Sequence, residues 1–306
     1  MPGGDIQNYI AWPSTYGTFN SVDTGALATF EGVIYQLFNP AVHVTDDDSA
    51  ARRSGMTHFR ATDWGASAEH PFVTVWGCYD AVGDWLVYDE YWNNSQDAIT
   101  QEHAGEVLSR SIAWGWPEPE WFKKTDSARQ HFVQKVKERV KELRPDKARS
   151  IKGSVYGENF ADPSRPGEMN AFNYYGIPTA SASNDVYKGI DLVRSKLKAN
   201  PNTGKPRLSF HKRCQHCIEE HRKYRWIPRK KNELGTTAAP RPVPLKKGDD
   251  TVDGVRYLLA SAERGRGQGP SSTDSYSDYR RQDVLLERTG QGMRPMDAVA
   301  GGFFRR

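Results

Sequence analysis

Three neighbouring segments constrain the fold of this sequence most: THFRATD (57–63), PFVTVWGCY (71–79) and DWLVYDEYW (84–92). The first alternates between apolar and polar residues, and the other two are rich in β-branched and aromatic residues, as β-strands are. The link DAVGD (80–84) supplies the Asp and Gly residues that tight hairpin turns favour. We therefore predict three consecutive antiparallel strands.

The rest of the sequence predicts strands that alternate with helices. One strand is predicted early, at 30–39, and the later strands are predicted at 154–162, 177–183 and 207–211. Amphipathic helices are predicted at 93–112, 126–143, 184–200, 214–226 and 249–263. An antiparallel meander followed by alternating strands and helices indicates an α/β fold with a mixed sheet.

Composition narrows the class of protein. The 306 residues are only 37% hydrophobic, with a mean hydropathy of -0.75, which indicates that part of the chain is not packed. The net charge of +4 is compatible with a polyanionic partner. Three cysteines without an export signal predict a reducing cytosol. No segment approaches the roughly 20 apolar residues of a membrane helix, so we expect no membrane partner.

Four aspartates stand where they would meet in such a fold. Asp63 and Asp162 end predicted strands, and Asp250 and Asp253 lie three residues apart at the start of the last helix. Taken singly, each is typical of a turn or a helix cap, the role predicted for Asp249. Together they would repel one another unless cations neutralised them, and Mg²⁺ and Mn²⁺ prefer oxygen ligands. Two such ions can stabilise the attacking and leaving oxygens of a phosphoryl displacement.

Four pieces of sequence, in order, resemble the nuclease domain of the large terminase subunits of tailed bacteriophages. They are RATDWG, VYDEYW, ENFADPSRP followed by NDVYKGIDLVRSKL, and DDTVDGVRYLL. The resemblance covers about residues 57–260. It implies an α/β, RNase H-like fold, in which three antiparallel strands precede parallel strands and helices flank the sheet. It also implies cleavage of double-stranded DNA with two Mg²⁺ or Mn²⁺ ions.

The resemblance assigns roles to particular residues. It places the catalytic, metal-binding acids at Asp63, Asp162 and Asp253. Some relatives have a histidine where this sequence has Asp250, which adds a possible oxygen ligand. Glu90, on the third strand, is expected to have a structural or supporting role.

The expected activity is that of an endodeoxyribonuclease that cuts concatemeric viral DNA during packaging. The ATP-binding pattern GxxxxGK[ST] does not occur in the sequence. Either the packaging motor is split across two polypeptides, or this is the nuclease portion alone. We expect a separate P-loop ATPase subunit as a partner, together with a small terminase subunit and the portal, in the cytoplasm of a bacterial host. Another RNase H-like nuclease, such as a junction resolvase, and a non-catalytic DNA-binding packaging component are the alternatives.

The predicted organisation has three parts. Residues 1–56 form an N-terminal extension or linker, 57–262 form the nuclease domain, and 263–306 form a flexible basic tail rich in Gly, Ser and Arg. The domain carries an insertion at about 114–150 and a basic, Pro-rich loop at 227–248.

Three further groups of residues invite functional interpretation. Basic residues predicted to contact DNA phosphates are Lys188, Arg194, Arg229, Lys230, Lys246 and Lys247. The spacing of four others admits a zinc site, although a place on a packed helix is the alternative: His211, Cys214, Cys217 and His221. Trp64 follows the first acid directly, and a core position is favoured over contact with substrate.

Overall fold

The structure is a computed structural model that describes residues 19–20, 27–28, 32–65, 67, 69–143, 151–227 and 242–267. The chain divides into a first compact unit, Met1–Ser261, and a second, Ala262–Arg306. The described residues of the second unit, 262–267, are helical.

A seven-stranded mixed sheet forms the centre of the first unit. Its strands are β1 (Val44–Thr45), β2 (Thr57–Asp63), β3 (Phe72–Tyr79), β4 (Trp85–Asn93), β5 (Ser154–Ala161), β6 (Thr179–Ser181) and β7 (Leu208–His211). They lie in the order β1-β7-β4-β3-β2-β5-β6. A separate antiparallel pair joins Phe19–Asn20 to Leu27–Ala28.

The direction of the strands confirms the predicted fold class. Strands β2, β3 and β4 are successive antiparallel neighbours, whereas β5 runs parallel to β2 and β6 runs parallel to β5. This is the predicted mixed sheet, with three antiparallel strands followed by parallel ones. Because β2 and β5 are parallel, their carboxyl ends lie at the same edge of the sheet.

Helices cover both faces of the sheet. They are α1 (Pro40–His43), α2 (Thr100–Trp114), α3 (Ser127–Leu143), α4 (Pro166–Tyr174), α5 (Val186–Lys196), α6 (Gln215–Lys223) and α7 (Asp250–Gly267). On one face, the Trp76 indole N–H of β3 donates to the Ser111 hydroxyl of α2, over 3.0 Å. On the other, α7 approaches β3 so closely that a Cβ on Gly77 would stand 2.6 Å from Leu258 Cδ2. The alternation of side chains along β3 therefore separates the two layers.

The segment before the meander departs from prediction. Within residues 32–39 of the strand predicted at 30–39, the structure has only one bridge, Val33 with Arg225. Ile34 and Tyr35 are neighbours in sequence and both are buried, which a strand with one buried face does not allow. A turn follows, in which the Phe38 N–H donates to the Tyr35 carbonyl. Burial against other parts of the unit has overridden the strand propensity of this segment.

The boundaries predicted for domains and loops stay predictions. Part of the segment assigned to the extension packs onto the sheet, because β1 pairs with β7. The predicted insertion contains α3, whereas residues 144–150 of it, 228–241 of the Pro-rich loop and 268–306 of the tail lie outside the described residues. In the described ranges, no helix has both the length and the apolar character needed to span a membrane.

A buried histidine of α2, His103, makes the stability of the fold depend on pH. His103 stacks on Phe72 with ring centres 4.0 Å apart, and burial lowers its pKa from 6.5 to about 4. Because the unfolded chain takes up this proton first, the stability that His103 contributes above pH 6.5 is lost as the pH falls towards 4. Between pH 7 and pH 5 the loss is about 2 kcal/mol.

The variant His103→Gln isolates this contribution. Urea denaturation of wild type and variant at the two pH values should show that the difference in their unfolding free energies shrinks by about 2 kcal/mol at pH 5. His131→Gln, at an exposed position on α3, measures what a change from His to Gln does by itself. A difference that stays the same at both pH values would contradict the prediction.

Candidate functional site

Two acidic residues lie side by side at the edge where β2 and β5 end. Asp63 is the last residue of β2, and Asp162 follows the last residue of β5. In the parallel register, Thr62 pairs with Ala161, so the two acids occupy equivalent positions on adjacent strands. The Trp64 indole N–H donates to the Asp162 carbonyl oxygen over 3.0 Å, and this hydrogen bond ties the two strand ends together.

Trp64 itself belongs to the core. Its side chain packs edge-on against Phe172 of α4, with ring centres 4.8 Å apart, and only 8% of the residue is exposed. The core position favoured from sequence is the observed one.

The first turn of α7 supplies the other acids. The Asp253 N–H donates to the Asp249 carbonyl over 2.8 Å, so Asp249 stands immediately before the helix, with Asp250 at its start. Glu220 of α6 fixes this turn, because its carboxylate accepts hydrogen bonds from the Thr251 N–H, over 2.7 Å, and from the Thr251 hydroxyl.

All four predicted acids line one open pocket of about 340 Å³. The lining residues are Asp63, Trp64, Ser67, His70, Asp162, Arg165, Lys246, Asp249, Asp250 and Asp253. The structure therefore brings together residues that are up to 190 positions apart in the chain. We call this set of side chains the carboxylate pocket.

The electrostatics of the carboxylate pocket reflect this crowding. Burial raises the pKa of Asp63 well above its ordinary value, and the nearby charges of Asp253, Asp250 and Asp162 raise it further. Burial, followed by the charge of Asp249, raises the pKa of Asp250 to about 6. Both shifts reflect burial together with repulsion from neighbouring carboxylates.

Two basic side chains neutralise part of the charge. Lys246 Nζ lies 2.7 Å from Asp253 Oδ2 and 3.1 Å from Asp249 Oδ2. Arg256 Nη2 lies 2.9 Å from Asp253 Oδ1. Asp253 is therefore paired through both oxygens. Burial alone would lower the pKa of Lys246, but the carboxylates of Asp253 and Asp249 outweigh it and raise this pKa.

A glycine on α5, Gly189, leaves room for the side chain of Arg256. A Cβ at Gly189 would stand 2.3 Å from Arg256 Cγ and 2.4 Å from Arg256 Cδ, so no larger residue fits there without displacing the arginine. The Arg256 side chain is fully buried. Gly189 thus connects two of the sequence pieces that carry the resemblance, NDVYKGIDLVRSKL and DDTVDGVRYLL, through one contact.

The pocket has the donor chemistry of a site for hard divalent cations, namely carboxylate oxygens from three separate elements. Asp250 Oδ2 is buried and has no hydrogen-bond partner among the described residues. Within the same residues, no group of three or more His, Cys, Asp or Glu side chains is arranged to hold a metal ion. Lys246 supplies a positive charge beside Asp249 and Asp253 instead.

The other predicted DNA contacts that the structure describes do not line the carboxylate pocket. Lys188 is exposed and pairs with Asp185 over 3.1 Å, and Lys247 is exposed beside the pocket. Arg194 is half-buried and donates through Nε to the Ile34 carbonyl over 3.0 Å. Arg229 and Lys230 lie outside the described residues. Lys246 alone of the described members lines the carboxylate pocket.

Glu90 has a structural position. Its two carboxylate oxygens accept hydrogen bonds, each of 2.9 Å, from the N–H groups of His216 and Cys217 at the start of α6. Glu90 is thus a side-chain cap for α6, away from the carboxylate pocket.

The four residues with zinc-like spacing make separate contacts. His211 contacts the Asp46 carbonyl through Nε2 over 3.1 Å, whereas His221 contacts the Cys217 carbonyl through Nδ1 over 2.7 Å. Cys214 and Cys217 are buried free cysteines. In the described chain these residues do not form a metal-binding group.

Sequence reasoning missed several members of the site. Asp249 was interpreted only as a helix cap and Lys246 only as a DNA contact, and Arg256 and Glu220 were not singled out. The i,i+3 spacing from Lys246 to Asp249 and from Asp253 to Arg256 is a weak signal of ion pairs. No local signal connects Glu220 with Thr251, because that contact depends on how α6 and α7 pack.

Removing the Glu220 carboxylate is expected to loosen the start of α7. Glu220→Ala leaves the Thr251 N–H without its acceptor and should lower the free energy of unfolding by about 1–2 kcal/mol, as loss of a helix cap does. Urea denaturation measures this loss. Glu219→Ala is the matched control, because Glu219 is exposed and its ion pairs among the described residues are with Arg222 and Lys223 of its own helix. Equal effects of the two substitutions would refute the capping role.

Comparison with known proteins finds solved structures that share this fold. A scan of protein-family models and a search of curated proteins both return no match. Among solved structures, the large terminase of a thermophilic bacteriophage matches 78% of this chain at 18% identity and a TM-score of 0.51. The match covers 46% of that terminase, so this chain spans just under half of its length.

Two structures of nuclease domains are also found. The nuclease domain of the P22 large terminase matches 76% of this chain and 93% of its own, at 16% identity and a TM-score of 0.42. The large terminase nuclease of thermophilic phage G20c matches 76% of this chain and 98% of its own, at 12% identity and a TM-score of 0.40. The match to the large terminase of the thermophilic bacteriophage shows that this chain shares the fold of part of that protein, as the resemblance in its sequence predicts.

Proposed function

We propose that this chain is a metal-dependent endodeoxyribonuclease of a viral DNA-packaging terminase. The observation that carries the proposal is the convergence of Asp63, Asp162, Asp250 and Asp253 on one pocket. Burial and the neighbouring carboxylates raise the pKa of Asp63, and a bound cation would offset this cost of holding the acids together. The terminase fold of the described chain supports the same function.

The residues have separate tasks in this proposal. Asp63, Asp162, Asp250 and Asp253 would hold Mg²⁺ or Mn²⁺. When bound, two such ions supply activation of water and stabilisation of charge on the phosphate and leaving oxygens. Trp64 holds the turn that carries Asp162, by the hydrogen bond to its carbonyl.

Two further side chains prepare the site for a DNA phosphate. The buried guanidinium of Arg256 holds Asp253 in place. Arg165 is exposed on the rim of the pocket, where its positive charge would attract the DNA backbone.

The product and partners follow from the same chemistry. In-line attack by water on the phosphodiester leaves a 5′ phosphate and a 3′ hydroxyl. Sequence preference is expected to be low, since the sequence has no recognised motif for reading the major groove. The partners in this proposal are double-stranded DNA, a separate P-loop ATPase subunit, a small terminase subunit and the portal, and the location is the host cytoplasm.

A nicking assay tests the proposal. The protein is incubated with supercoiled plasmid, linear duplex and a four-way junction, each with Mn²⁺, with Mg²⁺ and with a chelator. We expect metal-dependent conversion of the plasmid to nicked and linear forms, with ends that a ligase reseals. Exclusive cleavage of the junction would identify a resolvase instead. Binding without cleavage of any substrate would identify a non-catalytic DNA-binding component.

A further inference from the structure

Lys246 is a cation that already stands among the acids of the carboxylate pocket. Its ammonium group contacts Asp253 and Asp249 at the distances given above, whereas Asp250 Oδ2, in the same pocket, has no hydrogen-bond partner among the described residues. Asp253 Oδ2 is therefore already paired with a cationic side chain of the protein. A divalent ion that binds this oxygen must displace Lys246 or share the oxygen with it.

The backbone holds Lys246 in this place. Residues 225–227 and 243–245 form a short antiparallel ribbon, with the Leu245 N–H on the Arg225 carbonyl, 2.9 Å, and the Ile227 N–H on the Val243 carbonyl, 2.8 Å. An isolated bridge joins Trp226 to Pro244. Lys246 follows this ribbon directly, so its contact with the acids is built into the fold.

The two basic side chains that contact Asp253, Lys246 and Arg256, differ in one decisive respect. The Arg256 side chain is fully buried, whereas 53% of the Lys246 side chain is exposed. Lys246 has a flexible stem and can move its charge into water with little loss of packing. Arg256 cannot leave without a cavity forming around Asp253. Lys246 is thus the cation that an incoming metal ion can displace.

We propose that Lys246 is a built-in counter-ion of the carboxylate pocket that competes with divalent metal for Asp253 and Asp249 and so sets the metal concentration at which the site fills. The inference rests on the proposed function, since it takes the pocket to be the metal site. Lys246 is a positioning residue here. Without metal it stabilises the packed acids, and when a metal ion binds it gives up its contact with one of them.

Metal binding to the full-length chain tests the inference without any measurement of cleavage. Electron paramagnetic resonance of free Mn²⁺ gives the dissociation constant for wild type, Lys246→Met and Lys246→Arg. Lys246→Met is expected to bind Mn²⁺ at least about tenfold more tightly than wild type, because a positive charge a few ångströms from the ion is gone. Lys246→Arg keeps the charge and should bind close to wild type.

Lys247→Met is the matched control. It removes the same charge one position away, from an exposed residue that does not line the pocket, so it measures the long-range effect of net charge alone. Thermal unfolding supplies a second readout. Without metal, Lys246→Met should melt below wild type, and a given Mn²⁺ concentration should raise its Tm by more than it raises that of wild type.

The outcomes separate the two proposals. If Lys246→Met binds Mn²⁺ as Lys247→Met does, or more weakly, the counter-ion role is refuted while the nuclease proposal stands. If Lys246→Met tightens Mn²⁺ binding equally in a chain that carries Asp249→Asn and Asp253→Asn, the gain does not come through these acids and the counter-ion role is again refuted. If neither wild type nor Lys246→Met binds Mn²⁺, the metal-dependent function fails together with the inference.

Discussion

Asp63→Asn is expected to lower the rate of plasmid nicking by more than about 100-fold. Loss of a partner that merely orients a metal ligand costs 10–100-fold in metalloenzymes, and Asp63 is a proposed ligand itself. The substitution keeps the size of the side chain and removes its charge. The rate is measured with Mn²⁺ and with Mg²⁺ over a range of concentrations, so that weakened metal binding is distinguished from a slower reaction.

The same variant should be at least as stable as wild type without metal. The Asp63 carboxylate is held among like charges that, with burial, raise its pKa, and a neutral amide relieves that repulsion. A lower rate combined with an unchanged or higher Tm is the signature of a site that sacrifices stability for function. Loss of activity through misfolding would instead lower the Tm.

Asp97→Asn is the control for this experiment. Asp97 is exposed and does not line the pocket, so the same chemical change there should leave the rate within about twofold of wild type. If Asp63→Asn and wild type nick plasmid equally well, the carboxylate pocket is not the catalytic site. Asp162→Asn should behave as Asp63→Asn does, since it lies beside Asp63 on the next strand.

Arg256→Met is expected to lower the free energy of unfolding by about 3 kcal/mol. Breaking a buried ion pair by removal of one partner costs roughly 3–5 kcal/mol, because the other charge is left unpaired. The lower end applies here because Lys246 still contacts Asp253. Methionine fills much of the space, so the loss reports mainly on the charge. Urea denaturation without metal measures it.

Arg222→Met provides the comparison on the surface. Arg222 is 54% exposed in its side chain and pairs with Glu219 over 3.7 Å, and such a pair contributes less than about 1 kcal/mol. Saturating Mn²⁺ should recover part of the loss in Arg256→Met, because the ion replaces the missing charge beside Asp253. Equal losses in both variants would show that Arg256 is not a partner that the buried acid needs.

The local sequence pattern was sufficient to predict the strands of the meander, but not the segments that pack around them. Strands β2, β3 and β4 were predicted within a residue or so, because alternation and turn residues act over a few positions. The predicted strand at 30–39 failed because burial of Ile34 and Tyr35 depends on segments more than a hundred residues away, such as Tyr224, whose carbonyl accepts from the Ile34 N–H. Propensity carries no information about such partners.

The sequence by itself determined which acids end strands and begin the last helix. The ends of these elements can be located from the strand and helix periods of the local sequence alone. Only the tertiary structure decided that Asp63, Asp162, Asp250 and Asp253 share one pocket, since this requires β2 beside β5 and α7 across the sheet. The contact of Lys246 with Asp253 and the packing of Arg256 against Gly189 were likewise decided only by the tertiary structure. The physical reason is that charge neutralisation acts between side chains that are near in space, at any separation along the chain.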